Sequence, residues 1–308
     1  MSRTILVTGG AGFIGSNAVE MLCDGGFNVR VIDDLSWGYR DFVDKRADFL
    51  EGSISEADKL IYLLKGVDAV IHFAASSIIK FSIDNPVEYV KNNIENGVNL
   101  LEAMRKSGVN KIIFSSSAAV YGESNVRRIK EGSIKNPLNP YGATKLSFEN
   151  ILASYFNCYG LQSVSLRYFN AYGPRDEQKP ATRAVPIWIK ALLNNDPIPL
   201  YWHGRQVRDY VFVKDIARAH IDALNLSGCH IFNIGSGDGV MMQDLLKEVS
   251  DIMEVEPKIV DMGERLGDPN RLVADISRAN RILKWKPRCN LYDGLVQTIN
   301  YYKSVMNK

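Results

Sequence analysis

The chain carries four cysteines and four histidines in 308 residues. Cys23, Cys158, Cys229 and Cys289 stand far apart, as do His72, His203, His220 and His230. Neither set has metal-ligand spacing, so no metal centre is expected. The cysteines read as reduced thiols, which suits a cytoplasmic protein. No apolar run approaches the ~20 residues of a membrane span. Thr4 already opens a strand-like run, so no cleaved leader is expected. The net charge of +2 lacks the excess of one sign that would point to nucleic acid or a membrane surface. Repeats, low-complexity tracts and linkers are missing as well. What remains, 46% hydrophobic and 23% charged, is a globular chain long enough for one large or two ordinary domains.

What is present begins at the N-terminus. Thr4-Ile5-Leu6-Val7 is an apolar, β-branched run suited to a buried parallel strand. Gly9-Gly10-Ala11-Gly12-Phe13-Ile14-Gly15 follows at once, then a helical pattern over Ser16–Cys23. The glycines satisfy both G-x-x-G-x-x-G (Gly9, Gly12, Gly15) and G-x-G-x-x-G (Gly10, Gly12, Gly15). Such spacing lets backbone turn tightly and approach a pyrophosphate at a helix N-terminus. A second run, Val29–Ile32, ends in Asp33, about where an acidic residue takes the adenosine ribose hydroxyls. Asp33 and Asp34 would repel a 2′-phosphate, and no arginine follows directly, so NAD is favoured over NADP.

Strand-like runs alternate with helical ones through the first half. Ile5–Thr8, Asn28–Ile32, Ala69–Phe73, Lys111–Ser115 and Ser163–Arg167 are the strands. Ser16–Asp24, Glu56–Lys65, Pro86–Lys106 and Tyr141–Tyr159 are the helices. Alternation of this kind predicts an α/β fold, a Rossmann-type doubly wound parallel sheet, with ligands at the carboxyl ends of its strands. Gly9–Gly15, Asp33, Ala74-Ala75, Ser115–Ser117 and Phe169-Asn170 all fall at such ends. After Gly173-Pro174 the pattern changes. Arg175–Pro180 is polar and reads as a mobile loop; an extended piece follows near Tyr210–Val213, with a strand ending at Asn233-Ile234-Gly235. Met241–Met253, Arg278–Leu283 and Leu291–Lys303 are helical patterns. The division expected is 1–172 for the dinucleotide, with a return around 210–236, and 173–308 as a smaller α/β lobe packed on the sheet.

Tyr141 and Lys145 lie four residues apart in Tyr-Gly-Ala-Thr-Lys, one turn apart on a helix face, with Ser115-Ser116-Ser117 upstream. A phenol with a pKa near ~10 is a poor base at neutral pH. A nearby cation would stabilise its phenolate, and a serine could share the proton of a substrate alcohol. The pair alone is common, and a surface tyrosine beside a solvated lysine would look the same. The dinucleotide site upstream favours the chemical reading, because it supplies a hydride acceptor.

Longer strings carry a resemblance. They are Thr8–Ser16, His72–Ala75, Ser115–Gly122, Tyr141–Lys145, Arg167–Pro174, Val207–Asp215 and Arg265–Asp268. Over nearly the whole chain they resemble the extended short-chain dehydrogenase/reductase family, and within it the NAD-dependent sugar-nucleotide epimerases and dehydratases. The resemblance implies Ser117, Tyr141 and Lys145 as catalytic residues. It implies NAD lined by Gly9, Gly12, Phe13, Ile14, Gly15, Asp33, Asp34, Ser36, Gly38, Ser53, Ile54, Phe73, Ala74, Ala75, Ser77, Asn93, Ser115 and Phe169, together with Tyr141 and Lys145. Ser53 departs from the family's usual aspartate at the adenine amine, which implies a weaker contact there. Asn170, Arg208, Arg265 and Asp268 would hold a nucleotide diphosphate. Read alone, each arginine could equally be an ordinary surface residue. Asp209 and Asp215 read as groups that orient their neighbours.

The family hosts several reactions. Its dehydratases carry Asp-Glu after the catalytic hydroxyl residue, whereas Ala118 and Ala119 stand here and cannot move protons. Decarboxylases usually have Glu there, and glucuronate epimerases tend to have Thr where this chain has Asn170. The reaction implied is therefore 4-epimerisation of a nucleotide sugar through a transient 4-keto form, the substrate being a UDP-hexose such as UDP-glucose or UDP-galactose. Another enzyme of the group, acting on a dTDP-, GDP- or N-acetylhexosamine nucleotide, is the alternative. A non-catalytic NAD-binding regulator would not need Ser117, Tyr141 and Lys145 together. Leu272 would line the sugar pocket and disfavour N-acetyl groups. The resemblance also implies a homodimer through Pro86–Lys106 and Tyr141–Tyr159.

Overall fold

Strand residues with branched apolar side chains alternate between two cores. The structure is a computed structural model that describes residues 2–177, 180–263 and 269–306. In β1 (Thr4–Thr8), Ile5 and Val7 enter one core and Leu6 the other. After α1 (Phe13–Asp24), β2 (Asn28–Asp33) repeats the pattern, with Val29 and Val31 on the first side and Ile32 on the second. A short strand that the sequence reading did not specify, β3 (Asp48–Glu51), pairs with β2. Next come α2 (Ala57–Leu63), β4 (Ala69–His72), α3 (Ile79–Asp84) and α4 (Pro86–Val90). A π-helical stretch, 91–95, joins α4 to α5 (Asn96–Lys106), so the helix expected over Pro86–Lys106 is interrupted by one wide turn. β5 (Lys111–Ser117), α6 (Pro140–Tyr159) and β6 (Gln162–Tyr168) complete the alternating part.

A final sheet strand comes from beyond the lobe. β7 (Asn170–Tyr172), α7 (Ala184–Asn194), β8 (Ile198–Leu200), β9 (Val207–Arg208) and β10 (Tyr210–Phe212) lead to α8 (Val213–Ala223) and β11 (Cys229–Ile234). The seven-stranded sheet has the order β11-β6-β5-β4-β1-β2-β3, and every pairing in it is parallel. The strand order reverses direction between β1 and β4, which opens a crevice at their carboxyl ends. α1 and α8 cover one face; α2, α5 and α6 cover the other.

The rest of the chain is β12 (Val240–Met241), α9 (Met242–Met253), β13 (Ile259–Asp261), β14 (Arg271–Leu272) and α10 (Leu291–Met306). α7, α9 and α10 surround a separate core containing Trp188, Leu245, Ile299 and Tyr302. The helix expected over Arg278–Leu283 is a π-helical stretch, 279–283. It returns to the sheet, where Ala279, Leu283 and Trp285 join the core that holds α1 and α8.

Candidate active site

One cleft of about 640 Å³ runs along the carboxyl ends of β1, β2, β4, β5 and β6 and on to the lobe. That volume lies within the usual ~300–1,000 Å³ of ligand pockets. Its first wall is the glycine loop. A Cβ on Gly15 would lie 2.1 Å from the Gly9 carbonyl oxygen, so packing within the protein demands glycine there. Gly12 differs: a Cβ on it meets only Gly9 O, at 3.4 Å. Nothing among the described residues fills the space beyond it. Gly12 caps α1 without a side-chain bond, and the first turn carries no acidic residue. The open helix terminus and the open space suit a pyrophosphate that must approach backbone closely. Asp33 is 9% exposed at the end of β2. Its carboxylate accepts from Ala11 N and Leu35 N, both at 2.9 Å, and so ties the glycine loop to β2 while facing the cleft. Burial pushes its pKa up, against those two bonds. Asp34 Oδ1 accepts from Ser36 N at 3.0 Å and from Ser36 Oγ. These groups fit a dinucleotide with free ribose hydroxyls.

The second wall is built by β5 and α6. Asn139 caps α6 through Oδ1 to Gly142 N at 2.9 Å, and Pro140 fills the first helical position. A Cβ on Gly142 would lie 2.5 Å from Ala119 O, so this glycine lets the helix start press against the turn after β5. Tyr141 and Ser117 thereby line the same stretch of the cleft. Ser117 Oγ accepts from Ala119 N at 3.1 Å, which fixes the hydroxyl. Lys145, only 2% exposed, donates from Nζ to Ser115 O at 2.8 Å, with Nζ 5.8 Å from the Tyr141 ring centre. Behind them, Glu149 receives a bidentate bond from Arg167, Nε–Oε1 2.8 Å and Nη2–Oε2 2.5 Å, and a bond from Ser116 Oγ. This buried network locks α6 to β5 and β6, and with them the Tyr141–Ser117 geometry.

The electrostatics differ from the sequence reading. Lys145 was expected to pull the Tyr141 pKa down as a fixed charge. Burial instead pushes the ammonium down to about 7, opposed by Glu149. Tyr141 itself is raised by burial, while the Ser117 hydrogen bond and the Arg183 charge lower it. A fully enclosed ammonium loses its hydration and gives up its proton more readily.

The third wall belongs to the lobe. Asn170 in β7 pairs with Tyr210 in β10, and Leu272 in β14 pairs with Arg208 in β9. Three strands therefore bring Asn170, Arg208 and Leu272 onto one wall. Asp209 anchors them: its carboxylate accepts from Ser236, Gly237 N and Ala274 N, which is the orienting role expected of it. Asp215 likewise accepts from Arg288 N and Cys289 N.

The cleft is lined by Gly9, Gly12, Phe13, Ile14, Gly15, Asp33, Asp34, Ser36, Gly38, Ser53, Ile54, Phe73, Ala74, Ala75, Ser77, Ser115, Ser117, Tyr141, Lys145, Phe169, Asn170, Arg208 and Leu272. Asn93 is a correction. It lies buried behind the wall, its amide engaged with the Ser76 backbone and Thr144 Oγ1. The wide turn at 91–95 brings its neighbour Asn92 to the cleft instead. Arg265 and Asp268 lie outside the described residues. The loop expected at Arg175–Pro180 is tied down at its start. Arg175 pairs with Glu20, Asp176 with Arg183 and Glu177 with Lys190. Sequence reasoning missed Glu149 and Arg183. Glu149 was visible as a charge one turn after Lys145 on the inward face of α6; Arg183 gave no comparable signal. Among the described residues no group of three His, Cys, Asp or Glu could hold a metal.

Known proteins share both the sequence and the fold. A UDP-glucose 4-epimerase of Corynebacterium glutamicum is 38% identical over 92% of this chain and 90% of its own. A Thermotoga maritima UDP-glucose 4-epimerase solved with UDP-glucose superposes with a TM-score of 0.96 at 35% identity, covering 99% of this chain and 100% of that one. A Methanobrevibacter ruminantium UDP-N-acetylglucosamine 4-epimerase, in complex with UDP-N-acetylmuramic acid, gives 0.94 at 35% identity over 99% of each chain. The model of the NAD dependent epimerase/dehydratase family matches residues 5–235, from β1 to just past β11. That span takes in the glycine loop, Asp33, the Ser117–Tyr141–Lys145 cluster and the full parallel sheet, and on these grounds the chain belongs to the NAD dependent epimerase/dehydratase family.

Proposed function

We propose that the protein is a UDP-glucose 4-epimerase, interconverting UDP-glucose and UDP-galactose with resident NAD. One observation carries the reading. Ser117, Tyr141 and Lys145 share a cleft with the dinucleotide cradle, and the two residues after Ser117, Ala118 and Ala119, offer no second acid or base. Such a site can move one proton at one alcohol and no more.

NAD, when bound, supplies the hydride acceptor and donor. Gly12 and the α1 terminus would hold its pyrophosphate, and Asp33 a ribose. Tyr141 accepts the proton of the sugar 4-hydroxyl, directly or across Ser117, and later returns it. Lys145 keeps N–H donors for a ribose hydroxyl while bonded to Ser115 O. Arg208 meets the diphosphate, and with Asn170 and Leu272 it keeps the nucleotide in place while the sugar presents either face to Tyr141.

In the same reading, residues 1–172 with 210–236 serve the cofactor and 173–308 mainly serve the nucleotide sugar. The partner is a second copy of the chain. Ile83, Val87 and Val90 on α3 and α4 are 57%, 75% and 50% exposed, an apolar strip unusual on a surface helix pair. Free thiols at all four cysteines suit a cytoplasmic setting.

The test is incubation with a panel of nucleotide sugars, without added NAD, read by NMR. UDP-glucose should equilibrate with UDP-galactose. Loss of water to a 4-keto-6-deoxy product, or turnover confined to a dTDP-, GDP- or N-acetylhexosamine nucleotide, would reject the assignment.

A further inference from the structure

In the parallel sheet β1 lies between β2 and β4. A side chain that follows β2 and touches one that follows β4 therefore crosses the carboxyl end of β1, a span of about 10 Å over the glycine loop. Trp37 and Phe81 make such a contact. Trp37 follows β2, Phe81 sits in α3 after β4, and their ring centres stand 5.9 Å apart with the planes tilted by 45°.

Both ends of this bridge are anchored. After β2 the chain reverses through Leu35 at φ 57°, a left-handed conformation uncommon outside glycine, and the Asp33 carboxylate holds the turn by accepting from Leu35 N. Gly38 then packs on the glycine loop: a Cβ there would lie 2.8 Å from Ala11 Cβ, and Tyr39 N donates to Ala11 O at 3.0 Å. On the other side Tyr89 Oη donates to Ile78 O at 2.5 Å, and Ser82 Oγ to Ile79 O at 2.6 Å, which fixes the start of α3. Between the anchors the bridge itself is weak. Trp37 is 40% exposed, Phe81 is half-buried, and neither ring belongs to a hydrophobic core. The rings can part while their roots stay in place. Trp37 lines the cleft together with Gly12, Ile79 and Lys80.

We infer that Trp37 and Phe81 form a strap across the cofactor trench, which has to part for NAD to enter or leave and so keeps NAD resident. A pyrophosphate held at Gly12, with one nucleoside towards Asp33 and the other towards Tyr141, passes beneath the strap. The inference rests on NAD lying along the glycine loop, as in the proposed function, and not on which sugar is turned over. A cofactor that is reduced and reoxidised within one cycle gains from such retention; one exchanged at every turnover does not.

The test follows NAD, not turnover. Release is read by loading the purified protein with radiolabelled NAD and chasing with unlabelled NAD; association is read on stripped protein. In Trp37→Ala and in Phe81→Ala, release should quicken by about 3- to 10-fold, the worth of one aromatic pair. Association should quicken by a similar factor, because entry uses the same opening, so Kd moves little. The double variant should release no faster than the quicker single one, since each change removes the same contact. Phe81→Leu replaces Phe81→Ala where the alanine variant does not fold. Unchanged release overturns the inference. Faster release with unchanged association also overturns it, as do single effects that multiply in the double variant, because Trp37 would then touch the cofactor independently of Phe81. Protein that retains NAD through the strap yet epimerises no nucleotide sugar would overturn the proposed function and leave this inference standing.

Discussion

Gly12→Ala and Gly15→Ala form a matched pair, one methyl each in the same loop, with opposite expected consequences. In Gly15→Ala the new Cβ lies 2.1 Å from Gly9 O and 3.0 Å from Gly10 Cα, both backbone atoms that cannot swing away. Overpacking of this kind costs about 3 kcal/mol or more, which lowers Tm by roughly 5 °C in a chain this size. In Gly12→Ala the nearest atom is 3.4 Å away, and the backbone, at φ −80° and ψ 175°, is open to any residue. Alanine is a poorer cap than glycine by up to ~1 kcal/mol, while the stiffer unfolded chain returns about 0.4–1 kcal/mol. Stability of the cofactor-free protein should therefore change by less than about 1 kcal/mol. The methyl instead occupies the approach of the pyrophosphate. Crowding there costs ~1–3 kcal/mol of binding, or about 5- to 150-fold in Kd for NAD. Calorimetric titration of stripped protein with NAD, beside a thermal melt without it, separates the two effects. Native NAD affinity in Gly12→Ala would refute the claim that the open space at this glycine is reserved for the cofactor.

Three further outcomes are expected. Tyr141→Phe should cut turnover by roughly 10²–10⁴-fold with NAD content unchanged, the range for a positioned base; near-normal turnover would remove Tyr141 from that role. Lys145 carries a pKa of about 7 in the fold and 10.5 unfolded, so between those values the unfolded chain binds the extra proton. The stability of cofactor-free protein relative to Lys145→Met should then rise with pH across that window, by up to about 1.4 kcal/mol per unit, and stay flat below it; paired denaturant titrations would show no such slope if the lysine is solvated. Leu272, 9% exposed beside Arg208, should make UDP-N-acetylglucosamine a poorer substrate than UDP-glucose by about 10–200-fold. Leu272→Ser should narrow that gap, and equal kcat/KM values in wild type would show a wider pocket.

Local pattern made most of the sheet readable before the structure. Ile5, Leu6 and Val7 alternate between two cores, so their run had to be a strand covered on both faces. Gly9–Gly15 and Asp33 were legible because their spacing is set by a turn, a helix start and the next strand, all close in sequence. β3 escaped because Asp48–Glu51 is short and half polar. Asn93 was misplaced for a geometric reason. It was implied by resemblance alone, and the wide turn at 91–95 sets a local register in which Asn92 lines the cleft. Leu272 was readable only by resemblance, since its neighbours in space, Arg208 and Asn170, are distant in sequence.

The sharpest disagreement concerns charge. A lysine one turn from a tyrosine looks like a fixed cation in sequence, because spacing specifies proximity and says nothing of hydration. Burial reverses that expectation, leaving Lys145 near neutrality and Tyr141 raised. Arg183, 42 residues further on and at the start of a helix in the lobe, lines the same cleft as Tyr141. Its place depends on Asp176 and Phe13, on elements that meet only in the folded chain. Sequence spacing thus put Tyr141 and Lys145 on one helix face, whereas their proton affinities follow first from the burial that only the fold imposes.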